Sequence, residues 1–180
     1  MHPGASLVSP YQQGKLDALC GLYALINAIR VVHALDHPLS GPACRSLFRT
    51  GMKALLSDKH TAAAPYGGLT ASQQQKLLKA LMRAPVLANR APLQLRVQRR
   101  WPKTEADLEL FFRTAIKRGA VILACLHGRM SHHTVITGVR GETVVLCDSS
   151  GMSFVYLSSI GLSASGSTGL RLDRLATISI

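Results

Sequence analysis

From Leu19 to Val32 apolar side chains fall on nearly every side of a helical wheel, among them Leu22, Leu25, Ile26, Ile29, Val31 and Val32. A helix that is apolar all round is a buried helix. Residues 1–18 ahead of it read as an irregular lead-in. Ser40-Gly41-Pro42 opens a second helix to about Leu56, with Pro42 in the first turn, where its missing N–H costs nothing. A loop with Pro65, Gly67 and Gly68 follows, and Thr70 caps a third helix to about Arg83. Leu93–Arg99 alternates as a strand does. Thr104 with Asp107 three residues later resembles a capping box and starts a helix to Lys117, which Gly119 stops.

The period then changes to two. Ala120–Leu126, His133–Val139, Thr143–Asp148, Ser153–Leu157 and Leu170–Ile180 are β-branched-rich runs between Gly and Ser breakers. Ser158–Gly169 is rich in Ser and Gly and reads as a surface loop. Helices first and strands afterwards predict an α+β fold, with the helices packed on a C-terminal antiparallel sheet. No repeat or linker divides the 180 residues, so one domain over 1–180 is expected.

Composition narrows the classes. Hydrophobic residues make up 47% of the chain, enough for a core and too many for disorder. No apolar run approaches the ~20 residues of a membrane helix, so no membrane insertion is expected. The N-terminus lacks a basic stretch and an apolar stretch, which predicts a cytoplasmic protein or one delivered as an effector without a signal. The four cysteines are too scattered for a disulfide framework, and no C-x-x-C pair suggests zinc. Twenty-one Lys and Arg against nine Asp and Glu leave a formal charge of +12, which points to an acidic partner.

Chemistry concentrates in the hairpin sequence from Ser131 to Asp148. With Arg140-Gly141 as its turn, Val139 faces Glu142 and His133 faces Asp148, while His132 projects from the other face opposite Ser149. Directly opposed residues have Cβ atoms ~4.5–5.5 Å apart, which lets a carboxylate hold an imidazole. A carboxylate so placed fixes the tautomer of His133 and stabilises its imidazolium, as the orienting acid of a triad does. The plainer alternative is a surface His beside an Asp at a strand end.

Such a pair wants a nucleophile. Cys125 and Cys147 lie inside β runs, where a free Cys is usually a small buried hydrophobe. Cys44 sits in the first turn of the second helix near Arg45 and Arg49 and is a weaker candidate. Cys20 opens the buried helix, where unpaired N–H groups and the helix dipole stabilise a thiolate. Gly21 after it leaves room for a substrate backbone. Gln12 and Gln13 upstream each offer a side-chain amide that, with the Cys20 N–H, would hold an oxyanion. Each element is ordinary alone; a core cysteine at a helix start and glutamines in a polar loop are common.

The order Gln, Cys, His, Asp resembles the papain-like cysteine peptidases, and within them the compact bacterial double-glycine leader peptidases that process bacteriocins. Two segments carry the resemblance. Leu19-Cys20-Gly21-Leu22-Tyr23-Ala24-Leu25 looks like the Cys-Gly start of the family's central helix. His133-Thr134-Val135-Ile136, then Val144-Val145-Leu146-Cys147-Asp148-Ser149-Ser150-Gly151, looks like its His, strand, turn, strand, Asp and nearby Gly. Residues 35 to 118 carry no part of it. The resemblance implies a papain-like fold and a thiol hydrolase cleaving a peptide or isopeptide bond. Cys20 would be nucleophile, His133 base and then acid, Asp148 the orienting residue and Gln13 the oxyanion donor. No cofactor or metal is required, and the substrate would be a protein or peptide. The same triad serves deamidation, transglutamination and acyl transfer. Gln13 stands seven residues before Cys20, where the family's Gln usually stands six before; Leu19 replaces the frequent Asp, and Ser149 the frequent Pro.

Two other readings compete. Lys59 to Thr104 contains no acidic residue and carries nine bases, with Trp101 beside Arg99-Arg100 available to stack on a base. That fits a nucleic-acid-binding domain, or simply a solvated face, and aromatic residues are only 5% of the chain. His127, His132 and His133 with Cys125 or Cys147 invite a metal, but they lack regular ligand spacing.

Overall fold

The computed structural model describes residues 1–14, 18–98, 102–127, 132–161 and 170–180. The fold is α+β. Four helices of three or more turns form: α1 (Cys20–Val32), α2 (Gly41–Ser57), α4 (Ala71–Met82) and α5 (Glu105–Lys117), with a single turn, α3 (Ala64–Gly67), between α2 and α4. The strands are β1 (Gln94–Val97), β2 (Val121–His127), β3 (His132–Arg140), β4 (Thr143–Leu146), β5 (Phe154–Tyr156), β6 (Ile160–Gly161) and β7 (Leu170–Ser179).

Local chemistry explains the helix starts. Ser40 Oγ accepts from Ala43 N at the head of α2. Thr104 and Asp107 cap each other reciprocally at α5, and Thr70 and Gln73 do the same at α4. Asp107 is short for that role, yet its carboxylate reaches the Thr104 N–H at 3.1 Å.

The strand order is β1-β7-β2-β3-β4-β5, and all neighbours in it are antiparallel. The two-residue β6 adds to β7 in parallel. Part of the expected surface loop is therefore ordered, with a 3-10 turn at Leu157–Ser159 and then β6, while 162–169 lie outside the described residues. The last strand enters the middle of the sheet, which leaves β1 and β5 at the edges.

Helices cover both faces of the sheet. Alternate strand residues divide between two cores. Leu123, Val135, Cys147, Ala176 and Ile178 pack with α1, α2 and α4. Ile122, Ala124, Ile136, Val144 and Leu175 pack with Leu108 and Phe112 of α5. The central helix α1 is the most enclosed element, with eleven of its thirteen residues buried. Its apolar sequence reflects its position between the sheet and the outer helices. Among the described residues no helix is long and apolar enough to cross a membrane.

Candidate functional site

The hairpin of β3 and β4 turns one residue later than expected. Arg140 pairs with Thr143, so Gly141 and Glu142 make the turn, and Gly141 takes the positive φ of 54° at its first position. Val139 therefore faces Val144. The register then shifts between Ile136 and Gly138, and Ile136 faces Leu146. This irregularity changes which histidine meets the acid. Cys147 N continues the ladder to Val135 O at 2.8 Å, which brings Asp148 level with Thr134 and on the face shared by His132.

The His133–Asp148 pairing is thus overturned. His132 Nε2 lies 2.6 Å from Asp148 Oδ2. Both side chains are almost wholly enclosed, at 7% and 0% exposure. With Nε2 on the carboxylate, the remaining ring nitrogen is left for Cys20, whose thiol is close enough to help raise the His132 pKa. Cys20 begins α1 and is buried. The structure brings together Cys20, His132 and Asp148.

Burial alone would lower the His132 pKa, but hydrogen bonds to Asp148 and Cys20 outweigh it and push it up to about 9. Burial alone would raise the Asp148 carboxyl, but hydrogen bonds from His132 and Ser150 prevail and hold it at about 2. At neutral pH the pair is an imidazolium against a carboxylate. Asp148 Oδ1 accepts from Ser150 N at 2.7 Å and from Ser150 Oγ at 2.6 Å.

His133 has a different position. Its Nε2 donates to the Leu69 carbonyl at 2.5 Å, and Cys125 Sγ lies 3.9 Å from the same nitrogen. A nitrogen that donates to a carbonyl cannot take a proton from a thiol, so Cys125 and His133 do not form an alternative dyad. Cys147 is pushed up to about 11 by burial, which keeps it a neutral thiol. Cys44 is buried at the start of α2, its Sγ 4.0 Å from Leu39 O.

Gly21 does not hold space open for a substrate. A Cβ there would lie 2.9 Å from Leu69 Cδ1 and 3.4 Å from His133 Cδ2, so the missing side chain lets Leu69 and His133 pack on α1. The segment from Pro65 to Leu69 is tied beside Cys20 at both ends, by Ala18 N to Pro65 O at 2.9 Å and by His133 to Leu69.

The two glutamines differ in setting. Gln13 is half-buried, and its N–H donates to Ser149 O at 2.9 Å, tying it to the turn after Asp148. Its Oε1 is buried and has no hydrogen bond among the described residues. Gln12 is exposed, with Nε2 beside Gly151.

Lys59, Lys76, Lys79, Arg83, Arg96 and Lys103 are exposed, whereas Arg90 donates to the His37 carbonyl. Arg99, Arg100 and Trp101, which carry the stacking argument for nucleic acid, lie outside the described residues. Among the described residues no three His, Cys, Asp or Glu side chains gather as metal ligands would.

Sequence reasoning chose Cys20 and Asp148 but passed over His132. The signal was present: the pair His132-His133 puts one imidazole on each face of the strand, and only the register decides between them. No protein-family model matches the chain, and no curated protein matches it at a significant level.

Proposed function

We propose that this protein is a thiol hydrolase of the papain-like kind, with Cys20 as nucleophile, His132 as base and acid, and Asp148 as the orienting residue. One observation carries the reading: a buried imidazole has a carboxylate 2.6 Å from its Nε2, and the thiol that opens the central helix is close enough to raise its pKa. The order of Cys, His and Asp along the chain adds the resemblance.

The chemistry follows from the charges. In the proposed reaction Cys20 attacks as its thiolate, with the His132 imidazolium and the start of α1 beside it. The thiolate attacks a substrate carbonyl carbon, and the oxygen gains the negative charge. The Cys20 N–H and the Gln13 amide are the proposed oxyanion donors. The C–N bond breaks as His132 gives its proton to the leaving amine, which leaves an acyl thioester on Cys20. His132, now neutral, takes a proton from water. The hydroxide releases the carboxylic acid and restores the thiolate. Asp148 stays ionised throughout and fixes which nitrogen faces the sulfur. The proposed substrate is a peptide or isopeptide, and the basic charge of the chain favours an acidic one.

Alkylation tests this without a known substrate. Iodoacetamide at neutral pH is expected to modify Cys20 ahead of Cys44, Cys125 and Cys147, and His132→Ala is expected to remove the preference. Equal labelling of all four cysteines, or a preference that survives His132→Ala, overturns the reading.

A further inference from the structure

We propose that Ser150 is a positioning residue that locks the Asp148 carboxylate in the orientation that His132 needs. The inference deepens the hydrolase reading and rests on it for its functional meaning. Its structural content stands on its own.

A carboxylate at the end of a strand rotates about its last torsion unless both oxygens are engaged. Asp148 Oδ2 is taken by His132, and both bonds described at Oδ1 come from Ser150, its N–H at 2.7 Å and its hydroxyl at 2.6 Å. Two donors on one residue approach the same oxygen from different directions, so the plane of the carboxylate is fixed as well as its place. The hydroxyl bond has the length of a charge-assisted one.

The turn that carries Ser150 is itself braced. Gly151 follows at a φ of 91°, which reverses the chain as few other residues can. Ser149 O takes the Gln13 N–H at 2.9 Å. One short turn thus connects the acid behind the histidine to the irregular segment that carries the proposed oxyanion donor.

The test reads Asp148 and His132 directly. The first reading is the pH titration of the Asp148 carboxyl carbon by NMR. The second is solvent exchange of the His132 imidazole N–H proton at pH 7. In Ser150→Ala the carboxyl midpoint is expected to rise by about half a unit, because one of two charge-assisted donors is lost and the backbone donor remains. The imidazole proton is expected to exchange about tenfold faster, which corresponds to losing one modest hydrogen bond. Ser150→Thr keeps a hydroxyl and is expected to restore both readings. Ser150→Cys, a near-isostere with a weak donor, is expected to behave as Ser150→Ala and serves if that variant does not fold. Unchanged readings in Ser150→Ala or Ser150→Cys, or a failure of Ser150→Thr to restore them, overturn the proposal. Neither measurement uses Cys20, so unselective alkylation of the wild type would sink the hydrolase reading and leave this one standing.

Discussion

His132 and Asp148 share a 2.6 Å hydrogen bond beneath the surface, and that interaction contributes to both of their pKa shifts, one upward and one downward. His132 is raised to about 9 from 6.5, so its contribution to stability is complete below pH 6.5 and is lost as pH rises through 9. Asp148 is lowered to about 2 from 3.8, so its contribution is present above pH 3.8 and is lost as pH falls through 2. The pair stabilises the fold most between about pH 4 and 6.5. Asp148→Asn removes the charge and leaves burial, which lowers the histidine, against Cys20, which raises it. Its imidazole is expected to titrate clearly below the wild-type midpoint by NMR, with a stability loss of about 1–3 kcal/mol at pH 6 by urea unfolding. A His132 midpoint still near 9 in that variant would show that Asp148 is not what raises it.

His133 is expected to matter for stability and not for thiol reactivity. It holds the Leu69 carbonyl from inside the core, so His133→Ala leaves a buried acceptor without its donor at a cost of about 1–3 kcal/mol. His133→Gln keeps an N–H donor and is expected to recover part of that loss. Cys20 in the folded His133→Gln protein is expected to alkylate within about fivefold of the wild-type rate, since one modest bond is worth about 1 kcal/mol. A collapse of Cys20 reactivity in His133→Gln with His132→Ala unaffected would return the role of base to His133.

The helices were legible because each of their signals is local. The capped starts at Ser40, Thr70 and Thr104 and the all-round apolar run of α1 are written in consecutive residues. The partner of the last strand was not legible: β7 lies between β1 and β2, and nothing near Leu170 names a strand more than seventy residues away. At the site, Cys20 could be chosen from its place at a helix start, and Asp148 from the hairpin that brings the strand ends together. The choice between His132 and His133 depended on the register shift beside Thr137, since the later turn at Gly141-Glu142 alone would have kept Asp148 on the face of His133. A β-bulge leaves no reliable mark in sequence, and one residue of slip exchanges the faces of a strand. The role of Gly21 was misjudged for a related reason: what fills the space beside a glycine comes from elsewhere in the chain, here Leu69.

His33 predicts a second, independent pH dependence. It follows α1 at 1% exposure, and among the described residues neither ring nitrogen has a hydrogen-bond partner. Burial, then the charges of Arg90 and His37, lowers its pKa, with Asp36 opposing. The unfolded chain therefore takes up the proton first. Stability is unaffected above pH 6.5 and falls as pH drops below it. His2 behaves alike, because burial lowers it while Nδ1 accepts from Gly4 N and Nε2 donates to Gly119 O. His33→Leu is expected to flatten the fall in Tm between pH 7 and 5, and His2→Gln to flatten it further. An unchanged slope in the double variant would mean that other groups carry the acid sensitivity.

Gly21→Ala tests whether the residue after the thiol is a packing site. A Cβ there would lie 2.9 Å from Leu69 Cδ1 and 3.3 Å from Leu69 Cβ, closer than such atoms normally approach. The leucine tip can rotate, but its Cβ moves only with the backbone that His133 holds. Overpacking of this kind costs about 1–3 kcal/mol, against the ~1 kcal/mol that alanine gains over glycine inside a helix. A net loss of about 1 kcal/mol is expected in urea unfolding. Leu69→Ala made in the Gly21→Ala background vacates the same space, so the two changes are expected to be less than additive, with a coupling of at least about 0.5 kcal/mol. Strict additivity would show that the two side chains do not compete, and that Gly21 leaves its space to something other than Leu69.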